Sequence, residues 1–323
     1  MFQYRVWDRV LCTDIPFPEL LELTDTLATD KSVTITQNAS LCDFIGAPYV
    51  VWPDDFGQPS VSISRVPAGF LVRLARGALF LIGSDGASIH YHFFADVPLA
   101  LARRFILHLA MPLSQSLRRV TLLHGSAICA DKKVLGLIGK GGRGKSTLAS
   151  FLVRKRGYSL IADDSLFINS DDSTHYVYPS YNGVYLTARS LQLISDEPTS
   201  GLAQDFNEKS HFKLSIFENN PQPLAFLYFL DNNCLGDPVI ESIRPADAFL
   251  RLVQHCFVLD SDIPASISAQ FGRLAFINEH VRCYRLGYAR SEGSLERVAS
   301  SVQAHVLSCL LYTSPSPRDR TRS

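Results

Sequence analysis

Residues 139–146 read Gly-Lys-Gly-Gly-Arg-Gly-Lys-Ser, and eighteen residues beyond Lys145 stands an acidic pair, Asp163-Asp164. The first stretch matches the phosphate-binding P-loop (Walker A) pattern at every fixed position. Gly139, Gly141, Gly142 and Gly144 lack the Cβ that would keep backbone N–H groups from turning inward on an anion. Lys140 and Arg143 fill variable positions of the same cradle. Lys145 is expected to reach the β- and γ-phosphates and the Ser146 hydroxyl to bind Mg²⁺, with Thr147 as a further hydroxyl donor. The acidic pair supplies what such a loop needs next. One carboxylate can hold Mg²⁺ directly or through water, and the other can accept a proton from an attacking hydroxyl.

These residues require a strand leading in and a helix leading out. Val134 to Ile138 is an apolar run that reads as a buried strand. Leu148, Phe151 and Leu152 fall at i, i+3 and i+4, the spacing of one helix face. That helix would point free N–H groups and its positive dipole end at the same anion. Arg154-Lys155-Arg156 suit its last turn and Gly157 its stop. Tyr158 to Ala162 reads as a strand that ends in the acidic pair. Upstream, Leu122 to Ala130 is another strand, and Asp131-Lys132-Lys133 turns it straight into the P-loop strand. The pattern predicts a hairpin feeding the glycine loop. Doubly wound NTPases bring that strand in from a crossover helix instead. The chain also lacks the N-K-x-D guanine motif and the L-S-G-G-Q transporter motif. A GTPase or transporter ATPase is therefore disfavoured.

Residues 1–95 read as a smaller β-rich region. Phe2–Val6, Ser32–Thr36, Val61–Val66, Phe70–Leu74, Ala78–Ile82 and Ala87–Phe94 are short strand-like segments. Turn residues such as Pro53-Asp54-Asp55-Phe56-Gly57 separate them. Phe17–Leu27 is expected to form a short helix entered through Pro16 or Pro18. Residues 96–118 read as one amphipathic connecting helix, broken near Pro112. Residues 119–308 then form the P-loop unit, closed by a packing helix over Leu295 to Leu307. Glu208 to Lys213 lies between a helix and a strand, and Lys209 and Lys213 join Arg143 as candidate cations for the site. Residues 309–323 stand apart. Cys309 to Asp319, CLLYTSPSPRD, closely resembles a translated sequencing adapter, so the natural chain is expected to diverge near Ser308.

Composition narrows the setting. The 323 residues are 46% hydrophobic and 19% charged, with a formal net charge of zero. That balance offers no cationic surplus for nucleic acid or an anionic membrane, and neither is expected as a partner. The seven cysteines are scattered without a C-x-x-C pair, which argues against a disulfide framework or a structural zinc site. The first residues, MFQYRVWDRV, lack a signal-peptide core, and a cytoplasmic protein is expected.

The run His124-Gly125-Ser126-Ala127, then GKGGRGKSTLASFLVRKRGY, then Leu160-Ile161-Ala162-Asp163-Asp164 resembles the catalytic domain of HPr kinase/phosphorylase. It is closer still to HPr-kinase-related proteins encoded beside peptide-modification genes. The strong match spans about 122 to 168, and a weaker one continues through Tyr178–Leu186 and Pro223–Leu230 to about 257. The resemblance implies an α/β fold of the phosphoenolpyruvate-carboxykinase-like P-loop type with mixed sheets. It implies ATP and Mg²⁺ as cofactors and transfer of the γ-phosphoryl group to a serine hydroxyl. It assigns Asp163 as proton acceptor, Asp164 as a neighbour of Mg²⁺ and His124, and His124 as a holder of carboxylate or phosphate. Relatives form hexamers, so a homo-oligomer is implied. The glutamate-x-arginine-glycine signature of true HPr kinases is absent, and Pro179–Leu186 occupies the comparable region. The resemblance therefore does not extend to reverse phosphorolysis or to HPr as substrate.

The sequence thus predicts an ATP-dependent serine kinase acting on a protein or peptide, with Asp163, Lys145 and His124 catalytic and Ser146 and Asp164 at the metal. Two alternatives stay open. One is a small-molecule kinase for an amino acid or sugar, which an enclosed acceptor pocket would favour. The other is a non-catalytic nucleotide-binding accessory protein of a biosynthetic cluster.

Overall fold

The computed structural model describes residues 1–24, 30–44, 46–53, 58–94, 97–194, 209–231, 236–289 and 293–311. The turn expected at 54–57, Glu208 and the tail from 312 onward lie outside the described residues. The architecture is mixed α/β with mixed sheets, as expected. No helix among the described residues is long and apolar enough to cross a membrane.

The first sheet uses β1 (Phe2–Val6), β2 (Arg9–Thr13), β3 (Leu21–Glu22), β4 (Ser32–Gln37), β5 (Pro48–Pro53), β6 (Pro59–Val66), β7 (Gly69–Leu74), β8 (Ala78–Gly83) and β9 (Ser88–Phe93). Their order is β3-β1-β2-β4-β9-β8-β7-β6-β5, with β2–β4 and β4–β9 parallel and the other pairs antiparallel. The helix expected at Phe17–Leu27 does not form over its described part. Phe17 is fully buried and donates its N–H to the Tyr4 hydroxyl at 3.0 Å, and Leu21–Glu22 pairs with β1 instead. The two prolines shape a turn here rather than a helix start. β2 was not foreseen, because the turn before it runs through Trp7, a bulky residue held at φ 57°. Burial compensates that strain: the Trp7 ring stacks on Phe167 at 5.4 Å, and its backbone N–H bonds the Pro179 carbonyl at 2.9 Å.

The connecting segment is helical but not uniform. α1 (Leu99–Phe105) passes through a π-helical turn, Ile106–Ala110, into α2 (Met111–Ser116). The turn widens where Pro112 has no N–H to give, and the Met111 N–H reaches back to the Ile106 carbonyl. His108 rides on this turn.

The second sheet is built from β10 (Thr121–Ala130), β11 (Lys133–Ile138), β12 (Ser159–Ala162), β13 (Ser165–Asp171), β14 (Thr174–Tyr178), β17 (Gln222–Asp231), β18 (Val239–Ser242) and β19 (Arg282–Gly287). β15 (Val184–Thr187) and β16 (Lys209–Phe212) form a separate antiparallel pair. β10 and β11 make the expected hairpin, with Asp131 and Lys132 both at positive φ in its two-residue turn. β11 then runs parallel to β17, and β17 parallel to β19.

Strand alternation sorts the sheet's two faces. Leu135, Leu137, Phe226, Tyr228 and Leu230 pack with α3 (Lys145–Arg156) and α7 (Ser294–Leu311). Val134, Ile138, Leu227 and Phe229 pack with α5 (Pro245–Gln254) and α6 (Pro264–His280). α7 buries Val298, Ala299, Val302 and Val306, as its spacing predicted, and continues three residues past Ser308. α4 (Ala188–Ile194) lies against α3. A further core is shared: residues of the first sheet pack with Ile106, Leu113, Leu122, Phe167, Tyr181 and Tyr185.

Candidate functional site

The glycine loop leaves β11 at Ile138 and enters α3 at Lys145. Gly142 and Gly144 hold φ of 71° and 88°, where a side chain would be strained. Gly144 precedes α3, and no side chain caps that helix end. The first N–H groups of α3 and the positive end of its dipole are therefore left for an anion. A Cβ at Gly141 or Gly142 would meet nothing within 4 Å, so the outer face of the loop is open.

Lys145 is buried at 6% exposure. Its Nζ donates to the Gly139 carbonyl at 2.7 Å, the Lys140 carbonyl at 3.1 Å and His124 Nε2 at 3.1 Å. Burial lowers its pKa to about 8, and Asp164 and Asp163 only partly offset that. With Nε2 accepting from Lys145, His124 has its Nδ1–H for the Asp164 backbone carbonyl at 2.9 Å. Burial pushes the His124 imidazole below its usual value.

Asp163 and Asp164 form the bend between β12 and β13, which both pair with β10. Asp164 sits at φ 67°, a left-handed conformation that Asp tolerates better than most residues. The bend gives the two carboxylates different partners. Asp163, 1% exposed, accepts a hydrogen bond from Ser126 Oγ at 2.5 Å, and the Ser146 hydroxyl lies close enough to act on its charge. Burial, and then the Asp164 charge, raise its pKa. Asp164 Oδ2 lies 3.2 Å from His108 Nδ1, and His108 Nε2 lies 2.6 Å from the Tyr181 hydroxyl. Burial pushes His108 down to about 4, so at neutral pH it gives its Nδ1–H to Asp164 and accepts from Tyr181. Burial alone would raise Asp164, but His108, His124, Lys209 and Lys145 together hold it down to about 2.

The structure thus brings Lys145, Ser146, Asp163, Asp164 and His124 into one connected group. Of the candidate cations, Lys209 on β16 is near enough to act on Asp163, Asp164, Lys145 and His108. Lys213 lines a different cavity. Arg143 borders a 620 Å³ cavity beside the loop, and its carbonyl accepts the Tyr288 hydroxyl at 2.9 Å. Lys140 shares that cavity, and Arg244, Arg251 and Arg285 also line it. Thr147 Oγ1 donates to Ser190 Oγ at 3.0 Å, which ties α3 to α4. His108 and Tyr181 were not foreseen. His108 lies inside the 96–118 stretch read only as an amphipathic connecting helix, with no local pattern to single it out. Tyr181 lay in the stretch occupying the place of the missing signature.

Comparison with known proteins adds a distant structural likeness. No family model matches the chain, and no curated protein matches it. Among solved structures, the HPr(Ser) kinase/phosphatase of Coxiella burnetii is similar over 58% of this chain and 97% of its own. The identity is 16% and the TM-score 0.32. The side chains of the site itself carry the functional reading.

Proposed function

We propose that this chain is an ATP-dependent kinase that moves the γ-phosphoryl group to a serine hydroxyl of a protein or peptide. One juxtaposition carries the reading. An uncapped, glycine-led helix end, the Lys145 ammonium and a buried carboxylate near the Ser146 hydroxyl meet at one place. The oxygens there, from Ser146, Asp163 and Asp164, are hard donors. They suit Mg²⁺, which takes one or two carboxylates and keeps its remaining positions for water and phosphate. Ser146 and Asp164 would hold the metal, and ATP bound with it supplies the transferable phosphoryl group.

The chain's own residues do the rest. Loop N–H groups bind phosphate oxygens, and Lys145 adds a positive charge that its buried position protects from water. Asp163 takes the proton of the acceptor hydroxyl while that oxygen bonds to the γ-phosphorus and the bond to the bridging oxygen breaks, leaving ADP. Its raised pKa makes it the better base of the pair. Asp164, held low, stays anionic at the metal. His124 links Lys145 to the Asp164 backbone and so holds the two halves of the site in register. Lys209 offers charge for the equatorial oxygens.

Incubation of the purified chain with γ-labelled ATP, Mg²⁺ and cell extract tests the proposal. Label on a protein or peptide is the expected result. Label confined to a small metabolite would make it a small-molecule kinase, and tight ATP binding without transfer an accessory protein.

A pH dependence follows from Lys145. Its ammonium titrates near 8 in the free chain, and only the charged form attracts phosphate. Bound anion raises that pKa, so nucleotide affinity should fall as pH rises from about 7 to 9.5. Calorimetric titration with ADP across that range checks it. Lys145→Arg, which keeps its charge throughout, should flatten the dependence.

A further inference from the structure

His108 reaches the acidic pair from the connecting helix, ahead of the strands that carry the glycine loop. It rides on the π-helical turn Ile106–Ala110. Ile106, Leu107 and Ala110 of that turn are buried in a core that also holds Tyr181 and Tyr185. The His108 ring stands nearly perpendicular to Tyr185, with centroids 4.8 Å apart, and nearly parallel to Tyr181 at 6.1 Å. Its side chain is 12% exposed. The two tyrosines thus clamp the imidazole. π turns inside helices are rare and recur at functional sites, and this one delivers a single histidine to a carboxylate on another element.

Both ring nitrogens are engaged. Nδ1 lies 3.2 Å from Asp164 Oδ2, and Nε2 lies 2.6 Å from the Tyr181 hydroxyl. An ionised carboxylate can only accept, so the nitrogen that faces it carries the proton. Nε2 is then the acceptor for the Tyr181 O–H, and each contact fixes the other. No lone pair is left for a metal and no nitrogen for a substrate proton. His108 is therefore neither a ligand nor a base. Its effect falls on Asp164. Oδ2 is turned to His108, whereas Oδ1 lies 3.7 Å from His124 Nδ1, beyond hydrogen-bond range. That Nδ1 already serves the Asp164 backbone carbonyl. One oxygen of the carboxylate is occupied and the other is left over.

We infer that His108 and Tyr181 are positioning residues for the metal carboxylate: Tyr181 sets the tautomer of His108, and His108 holds Oδ2 of Asp164 so that Oδ1 alone is offered to Mg²⁺. The inference rests on the reading of Asp164 as a holder of Mg²⁺. Mg²⁺ demands near-ideal octahedral geometry, which one fixed oxygen suits better than a carboxylate free to turn. Partners that orient a metal-holding group commonly set metal affinity by ten- to a hundredfold.

The test uses the full chain and measures ADP affinity by calorimetry twice, with Mg²⁺ and with EDTA. The unaltered chain is expected to bind ADP more tightly with Mg²⁺. His108→Leu should cut that gain about tenfold or abolish it, while affinity in EDTA stays within about twofold. Tyr181→Phe keeps the ring and its packing, and decides the matter if His108→Leu does not fold. It removes the hydroxyl that sets the tautomer and should cut the gain about two- to tenfold. His108→Asn, whose amide N–H can take the place of Nδ1–H, should bring the gain back to within about threefold of the unaltered chain. A purely structural role would weaken ADP equally with and without metal, and that result overturns the inference. So does a full gain in both His108→Leu and Tyr181→Phe, which leaves Asp164 at the metal and removes its two supports. If Mg²⁺ gives the unaltered chain no gain, the metal reading of Asp164 falls and takes the inference with it.

Discussion

Asp163→Asn should leave ADP affinity within about threefold of the unaltered chain while phosphoryl transfer falls by ~10²–10⁴-fold. The amide nearly matches the carboxylate in size, so the buried pocket stays filled. It cannot take a proton, and so the acceptor hydroxyl loses its base. The hydrogen bonds must also be rearranged. Ser126 donates to Asp163 with the Ser146 hydroxyl close by, and an amide oxygen with an NH₂ beside it suits one such donor better than two. The mismatch costs about 1–3 kcal/mol, against which loss of one of two adjacent negative charges gives something back. A melting curve shows whether the fold survives, and ADP calorimetry with labelled-ATP transfer gives the rest. Full transfer activity in a well-folded Asp163→Asn chain would remove the residue from the chemistry.

Lys145→Ala acts earlier, on binding. A charge-assisted hydrogen bond to phosphate is worth about 1.5–3 kcal/mol, so nucleotide affinity should fall ~10- to 150-fold. The change also withdraws the donor that ties the Gly139 and Lys140 carbonyls to His124 Nε2. Some of the loss would come from a loosened loop rather than from missing charge. Lys145→Met separates the two, because it keeps the stem and drops the ammonium. Equal losses in both variants assign the effect to charge. An affinity unchanged in either variant would mean that phosphate is held elsewhere.

What was legible in the sequence was what lies close along the chain. The glycine loop, its strand and helix, and the acidic pair are short-range patterns. The β10–β11 hairpin was readable because a polar turn, Asp131-Lys132-Lys133, separates two apolar strands. His108 and Tyr181 were not readable, since they reach Asp164 only through the packing of the π-helical turn on the 181–185 segment. β2 was hidden because a buried ring, Trp7 against Phe167, imposes its turn where no glycine or asparagine signals one. The helix expected at Phe17 failed for a like reason. Local preference for a proline-started helix lost to a tertiary position in which Phe17 fills the core and its N–H has Tyr4 as partner.

The core shared between the first sheet and the segments that flank the glycine loop bears on how the molecule comes apart. Trp7 on Phe167, and Arg9 Nε bonded to Gln115 Oε1 at 2.8 Å inside the same region, leave no dry boundary along which one half could be peeled away intact. Separating the halves would wet aromatic surface on both at once, a cost neither could meet alone. Heat or denaturant should therefore melt the chain in one cooperative step, with calorimetric and van't Hoff enthalpies that agree. On that account the amino-terminal strands belong to the folding unit that makes the glycine loop stable, and a loss of packing at Trp7 would be felt as a lowered midpoint for the whole.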